Sequence, residues 1–356
     1  MLTVGTIGTR GIPNSHGGFE RFVELLVDDP RWADDGVRFA VYGEGEDTPH
    51  NSWTALRSVG CTKKDRPFWY YFRSAYLASR ECDVILCCGV ALSIFAFWPG
   101  LRGKALIVNP DGCEWRRTKW SRLGRLIVWA MYAPAMLAAK RIVIDAEALR
   151  SDFRLSTEAW YIPYSAPEPK AAALTHATRE AYALDRPYVL VVARLEPENN
   201  IGMIVEAFEA LADPRCELVI IGGTTTPFYH SVLASRASPN IRFIGGIYDQ
   251  EILDQVRSNA TVYLHGHSVG GTNPSLLEAL ASVTGRLGCH DNKYNREVAG
   301  AESDYFADAE QLTELMRRHL AEPTPYTRRP TRDMRFHPNT IYERYKAVFR
   351  DADAAR

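Results

Sequence analysis

Short β-branched runs alternate with helical spacing along this chain, and midway the alternation starts afresh. The first series of strand-like runs covers residues 2–8, 37–42, 82–89, 105–109 and 141–145, and it ends in a turn-rich stretch at 162–170. The second covers 188–195, 217–223, 241–244, 261–265 and 286–290, with helical spacing at 201–211 and 251–257. Strands separated by helices are the pattern of parallel sheets with covering helices. The restart therefore predicts two similar Rossmann-like α/β domains and not one large sheet.

The expected boundaries follow the punctuation. An N-terminal domain takes residues 1–165, and a linker follows at 166–187. Pro163, Pro167, Pro169 and Pro187 break that region around one short helical candidate at 171–182. A C-terminal domain takes 188–335, and 336–356 forms a last helix and tail. In that helix Ile341, Tyr345, Val348 and Phe349 recur at helical spacing, so it needs an apolar surface, and the first domain is the expected one.

Composition removes several classes. Apolar residues make up 46% and charged residues 24% of the 356, which fits neither a disordered nor a fibrous chain. The 42 Lys and Arg against 43 Asp and Glu provide no field for a nucleic-acid partner. Seven cysteines, with no CxxC pair and no His-flanked cluster, point to a reducing cytoplasm without a metal site. The only Asp-x-Asp, Asp351 to Asp353, falls in a tail expected to fray, so neither a catalytic metal nor a cofactor is expected. Residues 1–8 enter a strand directly, without the basic stretch or cleavage site of an export signal. The longest uncharged stretches, 84–98 and 126–139, fall short of the ~20 residues a membrane-spanning helix needs.

Four loops carry chemistry. After the first strand comes GTRGIPNSHGGFE, in which Gly17, Gly18, Phe19 and Glu20 precede a helix whose buried face is read as Phe22, Val23, Leu25 and Leu26. Glycines at a helix start leave N–H groups open to a phosphate or a hydroxyl, although the same glycines also serve a plain tight turn. The spacing is not GxGxxG and lacks the acidic residue of a dinucleotide site, which disfavours a nicotinamide-dependent oxidoreductase. After a later strand, NPDGCEWRRTKW places Asp111 and Glu114 beside Trp115, Arg116, Arg117 and Lys119. Carboxylates accept from hydroxyls, indole faces stack on sugar rings and cations hold phosphate.

Next in the chain, 123–139 joins Arg122 and Arg125 to an apolar run. It reads either as a helix lying in a membrane interface or as a domain-core helix. Arg194 ends the first strand of the second series, where a forked guanidinium suits a diphosphate. The last loop, HGHSVGGTNPSLLEAL, combines Gly270, Gly271, Thr272 and Asn273 ahead of a helix with Glu278 one turn inside it. Its amides are placed to cradle a diphosphate, and Glu278 to reach ribose hydroxyls or to complement the helix dipole.

Together these blocks resemble the GT-B glycosyltransferases of the family 4 type, and more closely the bacterial rhamnosyltransferases of capsule and exopolysaccharide assembly. The resemblance implies a GT-B fold, with two Rossmann-like domains whose parallel sheets face a central cleft and a C-terminal helix returning to the first domain. It also implies a retaining transferase that moves L-rhamnose from dTDP-L-rhamnose, or a sugar from a UDP-sugar, to a saccharide acceptor on polyprenyl diphosphate. Such a protein is expected in the cytoplasm, peripheral to the inner face of the membrane.

Carried over by position, Asp111, Arg194 and Glu278 are the catalytic candidates. The donor site would comprise Gly17, Gly18, Arg194, Asn199, Gly270, Gly271, Thr272, Asn273 and Glu278, and the acceptor site Phe19, Glu20, Asp111, Glu114, Trp115 and Arg117. The wider family has a Glu-x7-Glu motif, of which only Glu278 has a counterpart, with Gly270 at the first position. It also has a lysine five residues after the arginine, where this chain has Asn199. Both departures agree with the rhamnosyltransferase group. They also admit a nucleotide-sugar-binding scaffold without turnover.

Overall fold

The computed structural model describes residues 1–13, 18–90, 93–117, 120–153, 158–168, 170–223, 235–236, 238–301, 303–322 and 333–356. Two compact units emerge, Met1–Tyr164 with Pro338–Arg356 and Ser165–His337.

In the first unit eight strands form one sheet: β1 (Leu2–Ile7), β2 (Val37–Gly43), β3 (Thr48–Pro49), β4 (Thr54–Ser58), β5 (Val84–Cys88), β6 (Ala105–Asn109), β7 (Arg141–Ile144) and β8 (Trp160–Tyr161). Their order is β3-β4-β2-β1-β5-β6-β7-β8, and every pairing is parallel except β3 with β4. The sequence pattern did not disclose β3, β4 and β8, because two-residue strands have no period and Thr54–Ser58 is only half-buried beyond its first residue. The central strands β5 and β6 are buried at every position, as strands covered on both faces must be.

The second unit holds β9 (Tyr188–Val192), β10 (Glu217–Ile221), β11 (Ile241–Phe243), β12 (Val262–His265), β13 (Arg286–His290) and β14 (Asp304–Phe306), in the order β11-β10-β9-β12-β13-β14 and all parallel. Strand order reverses between β1 and β5 in one sheet and between β9 and β12 in the other. Ligands of such sheets bind outside the carboxyl ends at that reversal. The loops singled out above after β1, β9 and β12 leave from those ends.

The segment expected as a linker is part of the second unit. Its helix is shorter than anticipated, His176–Tyr182, and the residues before it are tied down. Ala172 N–H donates to Ser258 Oγ, Thr175 N–H donates to Gln255 Oε1, and Asn259 Nδ2 donates to Ala172 O. Conversely, the last helix belongs to the first unit. Pro338–Ala354 inserts Tyr342, Tyr345 and Phe349 among Trp32, Phe22 and Phe39, and Arg141 pairs with Asp351. The expected frayed tail at Asp351 to Asp353 is therefore helical, and both carboxylates are held by arginines, Arg141 and Arg356.

The helix Gly18–Val27 buries Phe22, Val23, Leu26 and Val27, but Leu25 faces solvent, contrary to the expected face. The helix Arg122–Ala138 departs further from a core helix. Val128, Tyr132 and Ala135 form its inner stripe, while Leu123, Leu126, Ile127, Trp129 and Leu137 are exposed.

Candidate functional site

In the first unit the loop after β1 starts at Gly8, with φ +96°, where a β-carbon would stand 2.2 Å from Cys88 O. Only glycine permits that approach of β1 to the end of β5. The loop is held from several sides. Arg10 N–H donates to Glu20 Oε1 at 2.9 Å, Lys63 Nζ donates to Gly8 O at 2.7 Å, and the Tyr70 hydroxyl donates to Thr9 O. Glu20 is buried, so this candidate for acceptor binding braces the loop. Gly18 opens the helix at an exposed position, Phe19 sits 3.9 Å from where a β-carbon on Gly89 would stand, and Gly17 lies outside the described residues.

After β6 the chain turns at Asp111, a non-glycine residue at φ +62°. Asp111 N–H donates to Asn109 Oδ1 at 3.1 Å, which helps hold a conformation that normally costs about 1 kcal/mol or more. Buried Tyr132 fixes the following peptides, accepting from Glu114 N–H at 3.2 Å and donating to Gly112 O at 2.8 Å.

The other candidates here engage one another. Arg117 Nε lies 2.8 Å from Glu114 Oε2, and Trp120 Nε1 donates to Glu114 Oε1 at 3.3 Å. Trp115 packs edge-on against Tyr132, with centroids 4.6 Å apart, and against Phe153. Its ring is partly buried against the core cluster, so the expected sugar-stacking face serves packing. Asp111 is a half-buried carboxylate on a strained turn, the geometry in which strain accompanies function. The neighbouring thiols Cys87 and Cys88 are not nucleophiles: burial pushes Cys87 up to about 12 and Cys88 well above its ordinary value.

The edge of the second unit is built from polar side chains. Arg194, just beyond β9, is exposed. Asn199 does not replace a lysine's charge. Its Nδ2 donates to Arg194 O at 2.7 Å, and its Oδ1 meets His267 Nδ1 at 2.8 Å. The backbone of His267 is pinned as well, since Asn292 Nδ2 and Asn295 Nδ2 each donate to His267 O at 2.9 Å.

Gly270 follows at φ +123°, and Gly271 and buried Thr272 lead to Asn273, which caps the helix Pro274–Ser282 by accepting from Ser275 N–H at 2.9 Å. Glu278 is committed elsewhere: its Oε2 accepts from Arg257 Nη2 at 2.5 Å, and Arg257 is only 1% exposed. Behind this edge His265 is buried. Desolvation, then the neighbouring His267 and His290, hold it well below its ordinary range and keep it neutral. Among the described residues no group of His, Cys, Asp or Glu is arranged to hold a metal ion.

His267 and Arg257 were not singled out in the sequence. The first stood inside the quoted loop, and its signal was a histidine three residues before a glycine that leaves its side open. Arg257 has a carboxylate one turn back, Asp254 at 3.9 Å, but nothing local marks its closer partner Glu278, 21 residues away.

Residues 176–331 match the family described as "Glycosyl transferases group 1". No curated protein sequence matches the chain. Solved structures similar to it include a UDP-forming α,α-trehalose-phosphate synthase from Burkholderia xenovorans, at 15% identity, TM-score 0.71 and 99% of both chains. The Anabaena protein HepE, solved with UDP and glucose, is similar at 12% identity and TM-score 0.72, over 99% of this chain and 100% of that one. Sucrose-phosphate synthase from Thermosynechococcus elongatus is similar at 16% identity and TM-score 0.68, over 100% and 97%. At these identities the likeness shows the fold, and the chain has the GT-B architecture of two parallel-sheet α/β domains.

Proposed function

We propose that this chain is a retaining glycosyltransferase that takes a hexose from a nucleotide-activated donor and passes it to a saccharide acceptor carried on a membrane lipid. The observation that carries the reading is the second unit's edge, in a segment that matches the group 1 glycosyl transferases: exposed Arg194 after β9 and the glycine turn Gly270 and Gly271 ahead of a helix capped by Asn273. A guanidinium fork beside a turn whose glycines let a ligand approach the backbone suits a departing nucleoside diphosphate, since preorganised groups meet its charge without reorganising. In a front-face reaction the leaving phosphate itself takes the proton of the acceptor hydroxyl. Asp111 then orients that hydroxyl.

The donor we favour is dTDP-L-rhamnose, from the likeness of the four loops to rhamnosyltransferases. A UDP-hexose is the second reading, favoured by similar structures solved with UDP or UDP-glucose. The acceptor we favour is linked to polyprenyl diphosphate, which puts the enzyme at the inner face of the cell membrane. Support for membrane contact comes from the first unit. Besides the outer face of Arg122–Ala138, it exposes Phe68, Trp69, Ile94, Phe97 and Leu101 on Pro67–Glu81 and 93–101, elements that pack on one another. Apart from Glu81 these elements carry no acidic residue, and Arg66, Arg73, Arg102, Arg122 and Arg125 are exposed on or beside them. Aromatic and aliphatic groups rimmed by cations suit an anionic interface. Among the described residues no helix is long and apolar enough to cross a membrane.

A panel of nucleotide sugars tested for thermal stabilisation and then for transfer checks the reading. Stabilisation by a nucleoside diphosphate and its sugar conjugate, followed by transfer with retained configuration, is the expected result. If no nucleotide stabilises the protein, the donor site is lost as an idea. If binding occurs without hydrolysis or transfer, the chain is a scaffold.

A further inference from the structure

We infer that Arg257 is a positioning residue of the donor site: it takes one oxygen of the Glu278 carboxylate and leaves the other to accept a single hydroxyl of the nucleotide sugar. This rests on the glycosyltransferase reading and adds to it a limit on how many hydroxyls this edge reads.

The pair joins two helices. Arg257 sits near the end of Gln250–Ser258, Glu278 lies one turn inside Pro274–Ser282, and Arg257 Nη2 donates to Glu278 Oε2 at 2.5 Å. The rest of the buried guanidinium is little used. Its Nη1 lies 3.9 Å from Asp254 Oδ1, and neither Nε nor Nη1 has a hydrogen bond among the described residues. The two oxygens of the carboxylate therefore differ. Oε2 is held by Arg257, whereas Oε1 has no partner among the described residues and the side chain keeps 19% of its surface exposed.

The helix that carries this oxygen is fastened to the strands of the site. Ser275 stands three residues before Glu278, on the same helix face. Its Oγ donates to Val192 O at 3.0 Å and lies 3.1 Å from the hydroxyl of buried Tyr263 on β12. Val192 ends β9, and Arg194 follows two residues later. A carboxylate oxygen beside a diphosphate site repels the phosphates and accepts from hydroxyls. With both oxygens open, a carboxylate grips a vicinal pair of hydroxyls, one on each. With one oxygen held by Arg257 it grips one hydroxyl and is indifferent to its neighbour. That hydroxyl belongs to the pentose or to the transferred sugar, and the ligands of the test separate the two.

The test measures affinities by calorimetry for the uridine and thymine nucleoside diphosphates, each in ribo, 2′-deoxy and 3′-deoxy form, and for UDP-glucose and dTDP-L-rhamnose. The proteins are the wild type, Glu278→Gln, Arg257→Lys and Arg257→Met, with a melting curve for each. In the wild type one hydroxyl should be worth roughly tenfold in affinity, the size of one charge-assisted hydrogen bond, and its neighbour nothing. If it is on the pentose, one deoxy form shows the loss and the other binds like the ribo form. If it is on the transferred sugar, both deoxy forms bind like the ribo form and the conjugate gains the factor over the diphosphate. Glu278→Gln turns its amide oxygen to Arg257 and its NH2 outward, so the factor should shrink. Arg257→Met should shrink it as well, because the carboxylate is no longer held, and Arg257→Lys should restore part of it. If Arg257→Met does not fold, the ligand series in the wild type and Glu278→Gln decides by the same criteria. If both pentose hydroxyls matter, or no hydroxyl does, the inference falls while the donor site stands. It falls in the same way if Arg257→Met keeps the factor or weakens every ligand alike, since Arg257 is then structural. If no nucleotide binds the wild type, the glycosyltransferase reading falls and takes this one with it.

Discussion

The two units repeat one topology and finish it differently. At the carboxyl edge of the second sheet, position is set by polar locks: Asn199 between Arg194 and His267, Glu278 on Arg257, and Asn273 on its helix. At the edge of the first sheet, aromatic groups set position, with Tyr70 on the loop after β1 and Tyr132 and Trp115 under the turn at Asp111. The outsides differ too. Among the described residues of the second unit only Tyr248 and Met334 are exposed large hydrophobics, whereas the first unit exposes a connected set of them. A polar edge with a clean exterior suits a soluble, charged ligand, and an apolar exterior suits a partner that is not water. The repeated topology supplies the place for a site, and the side chains decide what comes to it.

The strongest test of the polar locks is Glu278→Ala. It leaves Arg257, buried at 1% exposure, with only the looser pairing to Asp254 at 3.9 Å among the described residues, and stripping a buried charge of its close partner costs about 3 kcal/mol. Hydrogen exchange should show the loss in Gln250–Ser258 and Pro274–Ser282 and leave the first unit unchanged; an unaltered exchange pattern would mean that the Glu278–Arg257 pair does not hold this edge in place. Glu278→Gln keeps the shape and should weaken both the lock and nucleotide binding, to a smaller degree.

Arg194→Ala makes the opposite demand. The residue is exposed, so the fold should survive while transition-state stabilisation drops by about 2 kcal/mol. Arg194→Lys should recover only part of kcat/KM, because a point charge is not a fork. Turnover like that of the wild type in the alanine variant removes Arg194 from the reaction.

For the first unit, replacing Arg122 and Arg125 with glutamate removes two cations worth about 1 kcal/mol each at an anionic surface. Sedimentation with anionic vesicles at low salt should fall while nucleotide binding persists. A wild type that does not sediment would leave the exposed apolar face to some other partner.

The smallest effect expected is one of pH. Asp35, hydrogen-bonded by Lys346 and Tyr342, and Asp351, hydrogen-bonded by Arg141, both clamp the last helix to the first unit, and these partners hold their carboxyls below the ordinary value. A lowered native pKa adds stability that is complete above the unfolded carboxylate range, near pH 4, and fades as pH falls through the native values. Each exposed clamp contributes about 1 kcal/mol or less. Amide exchange in Pro338–Ala354 should therefore accelerate between pH 4 and pH 2 before the central strands respond, and Asp35→Asn should flatten that change.

Much of the architecture was legible because it is local. Buried strands such as Val84–Cys88 and Glu217–Ile221 announce themselves by apolar runs, unbroken in the first and from Leu218 onward in the second, and Ile201–Leu211 by its spacing. The loops that matter were legible for the same reason, since glycine and proline before a capped helix act over a few residues. Strands of two or three residues, such as Trp160–Tyr161 and Asp304–Phe306, exist only because a neighbouring strand is there to pair with.

Sequence alone determined that this chain makes two α/β series and that Arg194, Asp111 and the 265–278 loop lie at strand ends, because period and punctuation are properties of short stretches. Tertiary structure alone decided who holds whom. Asn199 and His267 are 68 residues apart, and Arg141 and Asp351 are 210 apart. No spacing rule brings such pairs together; only the folded sheets do. It also decided which side of Arg122–Ala138 faces out. An apolar helix is equally satisfied by a core or a membrane, and what chooses between them is whether another element has already taken the space beside it.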